Sequence, residues 1–435
     1  MLSDNYLPTS LQILLTRFRL GFTAPTFATF CALVRGFIGC VGEHNVCGML
    51  TGAGLAETWH HSRAHRFFAR RRWSADWLGL QFAGLLVERL VPRDAPLVVA
   101  VDGTLFRRWG RKVFGARWAH DGSAATRRAV SFGNTWVVAG LVVPVPLCRR
   151  PFCFPVLFRL WQEGSKVVIA RDLVERLAAH FPDRQLHVVG DAEYLSRDLR
   201  GLPGGITWSG RPRANAVFHD LTPPRTGRRG RPRARGERLP SLSGLAASLD
   251  WSHHHVTRYG STDTIAVTSR RVLWYHAFGT QVMRLILVRP VTASGKEYEI
   301  AIITTDLAGS LDEVIERYAS RWSIEVAFED AKGITGVGEA RNRTQNAVLR
   351  TVPFGFISQG LLTVWYLTDL HDDTVVADRR RHAPWYRTKR TPSLFDMVVA
   401  ARRVLMANSI SRESASPPDP HQFAAAVRAW EIAVA

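Results

Sequence analysis

Residues 97–102 read Leu-Val-Val-Ala-Val-Asp, and residues 186–191 read Leu-His-Val-Val-Gly-Asp. Each is a short run rich in β-branched residues, closed by an aspartate. Such runs fit strands buried on both faces. An ionised carboxylate beside a buried sheet is costly unless a cation or a hydrogen-bond partner offsets its desolvation. Further strands are predicted at 135–143, 153–161 and 206–209, with an amphipathic helix at 165–180. Three strands, a helix and a strand open a mixed α/β sheet. If 97–101 and 186–190 are neighbouring strands, Asp102 and Asp191 converge at the sheet rim and suit a hard, oxygen-seeking cation. The alternative, strongest for Asp191, is an N-cap of the segment that follows.

Outward from this core the texture changes on both sides. From about residue 10 to residue 92 apolar side chains recur at helical spacing, with Ser74 as an N-cap, which predicts an all-helical N-terminal domain. Inside it, residues 65–73 (His-Arg-Phe-Phe-Ala-Arg-Arg-Arg-Trp) interleave cations with aromatics. That pattern suits a helix on DNA, or equally a solvated face with aromatic core anchors. Residues 211–238 hold nine arginines against two acids, with four prolines, and read as a loop or arm. Strand-like segments follow at 264–268, 272–278, 284–288 and 298–304. A long helix is then predicted from Ser310, with Glu313 completing a capping box, to Lys332, with Gly333 as its C′ residue. The tail carries a basic patch at 379–381 and a helix at 393–406.

The chain has 435 residues, 46% of them hydrophobic, with 57 basic and 37 acidic side chains and a formal net charge of +20. This composition is that of a folded chain of about two to four domains, and the charge favours a polyanionic partner. Five cysteines without metal-ligand spacing read as reduced thiols of a cytoplasmic protein. The N-terminus has no secretory pattern, and the longest apolar run, 136–148, is interrupted by Pro144 and Pro146, so no membrane insertion is expected.

Tyr318, Arg321, Glu325 and Lys332 follow one another at three, four and seven residues and therefore share a helical face. A phenol, a guanidinium, a carboxylate and an ammonium in one row suit a phosphodiester, with Glu325 beside a metal and the others on phosphate oxygens. The alternative is an exposed face laced by i,i+4 ion pairs. Glu329 and Asp330 are rival acids. His253-His254-His255 lacks metal spacing and fits a loop or strand edge. Asp121 and Glu193 fit surface or capping roles, or alternatively support the metal-binding acids from behind. Arg228-Arg229-Gly230-Arg231-Pro232-Arg233 contains an RGRP core suited to a narrow A·T minor groove, or to plain phosphate binding.

Asp102, Asp191 and Glu325 in that order, with Tyr-x2-Arg-x3-Glu-x6-Lys complete, resemble the bacterial insertion-sequence transposases of the DDE superfamily that carry the YREK signature. The resemblance covers roughly residues 95–370. It implies an RNase H-like α/β fold, a mixed sheet with a β-rich insertion. The chain then divides into a helical DNA-binding domain (1–94), a catalytic domain (95–210 and 297–370), a basic arm and β-rich insertion (211–296) and a helical tail (371–435). It also implies that Asp102, Asp191 and Glu325 are catalytic and hold two Mg2+ ions, about 3.5–4 Å apart in such sites, with Mn2+ as a substitute. The activity implied is cleavage of element ends followed by transfer of the 3′ hydroxyl into target DNA. Tyr318, Arg321 and Lys332 would grip DNA, aided by Arg228, Arg229, Arg231 and Arg233. The partners implied are the terminal inverted repeats and target DNA, bound by a homodimer. Trp251 and Trp274 are candidates for stacking on a flipped base, although buried strand tryptophans are the commoner case. A structure-selective nuclease on the same fold, or a DNA-binding relative without catalysis, are the alternatives.

Overall fold

The computed structural model describes residues 6–122, 126, 129–224, 233–295, 297–372, 374–413, 419, 421 and 426. Ten strands form one sheet: β1 (Leu97–Arg107), β2 (Arg117–His120), β3 (Val130–Val143), β4 (Phe152–Trp161), β5 (Leu186–Gly190), β6 (Ile206–Gly210), β7 (Ser252–Arg258), β8 (Ser261–Leu273), β9 (Val282–Pro290) and β10 (Ile300–Thr304). The centre runs β4-β3-β1-β5-β6. β3 is antiparallel to β1 and β4, whereas β1, β5 and β6 are parallel. This is the expected RNase H-like mixed sheet. β10, β9, β8 and β7 then continue it by antiparallel pairing, so the β-rich segment extends the same sheet.

Helices precede, cross and cover the sheet. Before it come α1 (Thr9–Thr16), α2 (Ala24–Gly39), α3 (Val46–Gly52), α4 (Ser62–Ala69) and α5 (Ala75–Leu90), the last capped by Ser74 as its sequence implies. α6 (Lys166–His180) links β4 to β5, since parallel β1 and β5 require a crossover. The short α7 (Leu242–Ser248) and α8 (Tyr275–Phe278) flank β7 and β8. The expected strand at 272–278 therefore divides between the end of β8 and α8.

The single long helix expected from Ser310 is two, α9 (Leu311–Ser320) and α10 (Trp322–Gly333). The Ser310/Glu313 capping box is present. At Arg321 the backbone ladder tightens: Arg321 N–H donates to Tyr318 and Ile324 N–H donates to Arg321, both i→i−3. Gly333 is not a left-handed C′ residue. The chain stays right-handed at Ile334, and the turn falls at Gly336, φ 63°.

α11 (Gln345–Trp365) joins the two halves of the core. It is apolar all round and buried on all sides, as such a helix must be. Phe354 meets Phe30, Phe37, Phe67 and Phe68 of the N-terminal helices edge-on. Phe356 meets Phe106, Phe158 and Phe328 on the sheet side. Gln345–Leu370 is long and apolar enough to cross a membrane, but 89% of its most apolar window is buried against the rest of the chain, so it is a core helix. In residues 65–73, Phe67, Phe68 and Trp73 are core anchors while Arg66, Arg70, Arg71 and Arg72 are exposed. α12 (Thr374–His382), which carries the 379–381 patch, and α13 (Leu394–Glu413) follow; α13 packs on α2 and α11.

Candidate active site

Asp102 does not end its strand. β1 continues five residues beyond it, because Gly103 to Arg107 keep pairing with β3. Asp191 does follow the last residue of β5. The parallel register sets Val101 opposite Gly190, so the two aspartates come level on adjacent strands. Asp191 also caps the turn after it, accepting from the Glu193 N–H at 2.8 Å. The capping and site readings of Asp191 thus coexist.

α10 lays Glu325 over this pair. Arg321 donates to Glu325 Oε1 at 2.7 Å, and the same Nη1 lies 3.8 Å from Asp102 Oδ2. One guanidinium therefore faces carboxylates from both the sheet and the helix. Burial, chiefly, and then the charge of Asp191 push the Asp102 carboxyl up to about 7; the Gly103 N–H and Arg321 pull it down and Glu325 pushes it up. A carboxylate held so high is one that a cation would ionise. Behind it, the buried Tyr194 hydroxyl has no hydrogen-bond partner among the described residues, and a Cβ at Gly103 would stand 3.2 Å from that oxygen.

Beside the acids a cavity of about 500 Å3 is lined by Asp191, Tyr318, Arg321 and Trp322, together with Arg211 and Arg213. Burial raises the Tyr318 phenol, which stays a proton donor at neutral pH. Lys332 lies at the far end of α10. It is 5.5 Å from the centre of the Phe106 ring, and burial lowers its ammonium. Asp102 and Phe106 share a face of β1, so helix and strand run side by side from the acids to Lys332.

The expected site residues therefore separate into groups. Asp102, Asp191, Glu325, Arg321 and Tyr318 come together, while Lys332 stands two helical turns further along. Among the described residues no group of three or more His, Cys, Asp or Glu side chains is placed to hold a metal ion. In this arrangement Glu325 is paired with Arg321 instead. The donor set itself, carboxylates on three elements, is of the hard-oxygen type that divalent magnesium takes. Arg228, Arg229 and Arg231 lie outside the described residues. Arg233 is exposed and paired with Glu237 at 3.1 Å.

Other expectations change. Asp121 is not at the surface: it is 1% exposed, and accepts from Arg107 and Ser131. The 211–238 stretch is more than an arm, because Phe218 is buried and His219 bridges to Leu273 and Arg238. Trp251 donates to the Ala246 carbonyl and lies under Arg289, while Trp274 packs with Phe218 and Phe278. Of the rival acids, Glu329 is exposed and Asp330 faces a separate cavity on the other side of α10, with Cys153 and Gln359. His253–His255 lie on β7, where His254 pairs with Asp312 at 2.5 Å. Arg211 and Arg213 were concealed by their setting in an arginine-rich stretch; their position just after a buried strand was the available signal.

A helix-covered RNase H-like sheet that sets two acids level on adjacent strands, beneath a carboxylate on a helix, is the framework of a phosphodiester-cleaving enzyme. The chain belongs to the DDE superfamily endonucleases, whose family model matches residues 17–279. The match spans Asp102 and Asp191 and ends before α10. A comparison with curated proteins finds no match. Among solved structures, the chain is similar to the piggyBac transposase of a synaptic complex with hairpin DNA, by cryo-EM, at 10% identity and a TM-score of 0.40, over 96% of this chain and 80% of that one.

Proposed function

We propose that the protein is a DNA transposase of the bacterial insertion-sequence type, cutting element ends and joining the freed 3′ hydroxyl to target DNA. The observation that carries this reading is the convergence of Asp102 and Asp191 on adjacent parallel strands beneath Arg321 and Glu325. Asp102, Asp191 and Glu325 would hold Mg2+, or Mn2+ in its place. Bound there, such ions would supply Lewis-acid polarisation of the scissile phosphate and of the attacking oxygen.

The chain's own groups supply the rest. Arg321, now on Glu325, is the group that a phosphate can draw away, since its fork matches two phosphate oxygens. Tyr318 donates one hydrogen bond, and Arg211 and Arg213 add charge on the Asp191 side of the cleft. Lys332 meets the strand about 20 Å from Tyr318, given a rise of about 1.5 Å per helical residue. Such fixed donors stabilise developing charge without reorganising. The exposed arginines at 70–72 and the arm with Arg228, Arg229, Arg231 and Arg233 add DNA affinity. The protein acts in the cytoplasm, as a homodimer on paired ends.

The test is incubation of the purified protein with supercoiled DNA carrying the native element ends, with and without magnesium. Magnesium-dependent cuts at the ends followed by joined products support the reading. Cutting at branched structures irrespective of end sequence would make it a structure-selective nuclease, and binding without cutting a non-catalytic relative.

A further inference from the structure

Ser323, Val326, Ala327 and Asp330 recur at i, i+3, i+4 and i+7 and so share one face of α10, opposite the face of Arg321 and Glu325. That face walls a cavity of about 480 Å3, closed otherwise by α11, the start of β4 and residues 391–394. Its volume is that of a small-ligand pocket, and the proposed chemistry gives it no role. Asp330 is the only acid among the described residues that line it. The Asp330 carboxylate has no hydrogen-bond donor and no ion pair among the described residues, and neither oxygen is sealed from the cavity. Lys389, beside the 391–394 wall, is taken by Asp396 at 2.8 Å. Gln359 commits its Oε1 to Thr335 at 2.6 Å, which leaves its amide N–H groups to the same space. A half-buried carboxylate without a partner costs free energy that a cation in the cavity offsets.

The walls decide which cation. A hard metal ion takes several oxygen ligands, whereas here one carboxylate stands among Phe152, Phe154, Phe356, Val326 and Leu394. Such walls suit a carbon skeleton. Trp322, 47% exposed, and Tyr259, 48% exposed, stand at the mouth, where ring faces attract a cation. Arg149 and Arg150 are exposed on the rim, and Arg150 donates to the Tyr259 carbonyl at 2.8 Å. Salt screens their charges in water over about 8–10 Å, but at the rim they still oppose a ligand with several positive charges.

We propose that this cavity binds a small organic monocation, an ammonium on an aromatic or alkyl body, with the ammonium on Asp330 and the body against the Phe356 and Val326 walls. A hydroxyl or carbonyl oxygen on such a ligand meets the Gln359 amide. The site lies on the far side of α10 from the paired acids, and it is independent of the cleavage reading.

The experiment is a ligand-observed NMR titration of the full chain at neutral pH, without DNA or metal. The probes are phenylethylamine, its neutral analogue phenylethanol, the anion phenylacetate and the polycation spermidine. The amine should bind saturably and more tightly than the other three. Loss of a charge-assisted hydrogen bond corresponds to about 10- to 150-fold, so Asp330→Asn should weaken amine binding by that factor and leave phenylethanol binding unchanged. Asp330→Glu should recover part of the amine affinity, and Glu329→Gln, at the exposed neighbouring acid, should change nothing. Equal amine binding by wild type and Asp330→Asn, or an equal loss in Glu329→Gln, overturns the proposal. On the wild type alone, equal affinity for the amine and phenylethanol, tighter binding of phenylacetate or spermidine, or no saturable binding of the amine overturns it as well.

Discussion

Asp102 sits in mid-strand with its carboxyl raised to about 7, and it is the residue on which the proposed chemistry leans most. Asp102→Asn, Asp191→Asn and Glu325→Gln should each abolish end cleavage in a plasmid-nicking assay while DNA affinity stays nearly intact. A variant that still nicks in magnesium is outside the catalytic set. Asp330 provides the contrast. Burial, then Glu329, raises its carboxyl to about 6. Between the unfolded value near 3.8 and about 6 the folded state holds the extra proton, so stability falls as pH rises through that window. Asp330→Asn should therefore raise stability at pH 7 by about 1–2 kcal/mol and gain little at pH 4, by urea unfolding. It should leave cleavage intact, since the side chain faces the opposite side of α10.

At the scale of elements, the row on α9 and α10 was legible because helical spacing fixes which residues share a face. The tightening at Arg321 was not, because i→i−3 bonding leaves no mark in the side-chain pattern. α11 escaped notice for a related reason: a helix buried all round has no polar face to show periodicity. Phe354→Ala on α11 should cost about 3–5 kcal/mol, measured by denaturant unfolding, since four aromatic neighbours would border the void. The cationic segments make separable contributions to DNA binding. Each phosphate contact adds about 0.9 to the slope of log affinity against log salt, so Arg211→Ala with Arg213→Ala should lower it by about two. Alanine at Arg228, Arg229, Arg231 and Arg233 should lower it by roughly three to four if all four touch phosphate. An unchanged slope in either variant removes that segment from the interface.

Across the whole molecule, the buried His44 and the half-buried His187 link stability to acid. Burial above all, with Arg402, lowers His44 to about 4, despite Glu339 3.8 Å away. Burial and then Arg317 lower His187 to about 4, against Asp306 and Glu313. The unfolded chain takes up these protons first, near pH 6.5, so stability is full above that pH. It falls as pH drops from about 6.5 to 4, by on the order of 3 kcal/mol per group at most. Urea midpoints measured from pH 7.5 to 4 should follow this slope, and His44→Gln should flatten it. An unchanged slope in that variant would remove His44 as a source.

By itself the sequence determined the local and periodic features of this protein. The β-branched runs beside Asp102 and Asp191, the Ser310 cap and the spacing of Tyr318, Arg321, Glu325 and Lys332 depend on near neighbours and on helical or strand repeat, which a linear text carries; that the first run continues past Asp102 to Arg107 is set by its pairing with β3. The tertiary structure alone decided that Asp102 and Asp191 stand level, that Arg321 faces both Asp102 and Glu325, that Arg211 and Arg213 join the cleft, and that Asp121 is buried. Each of these depends on strand register or on a crossover joining residues far apart in the chain. Such long-range pairings are selected by the free energy of the whole packed core, and no local stretch of residues encodes them.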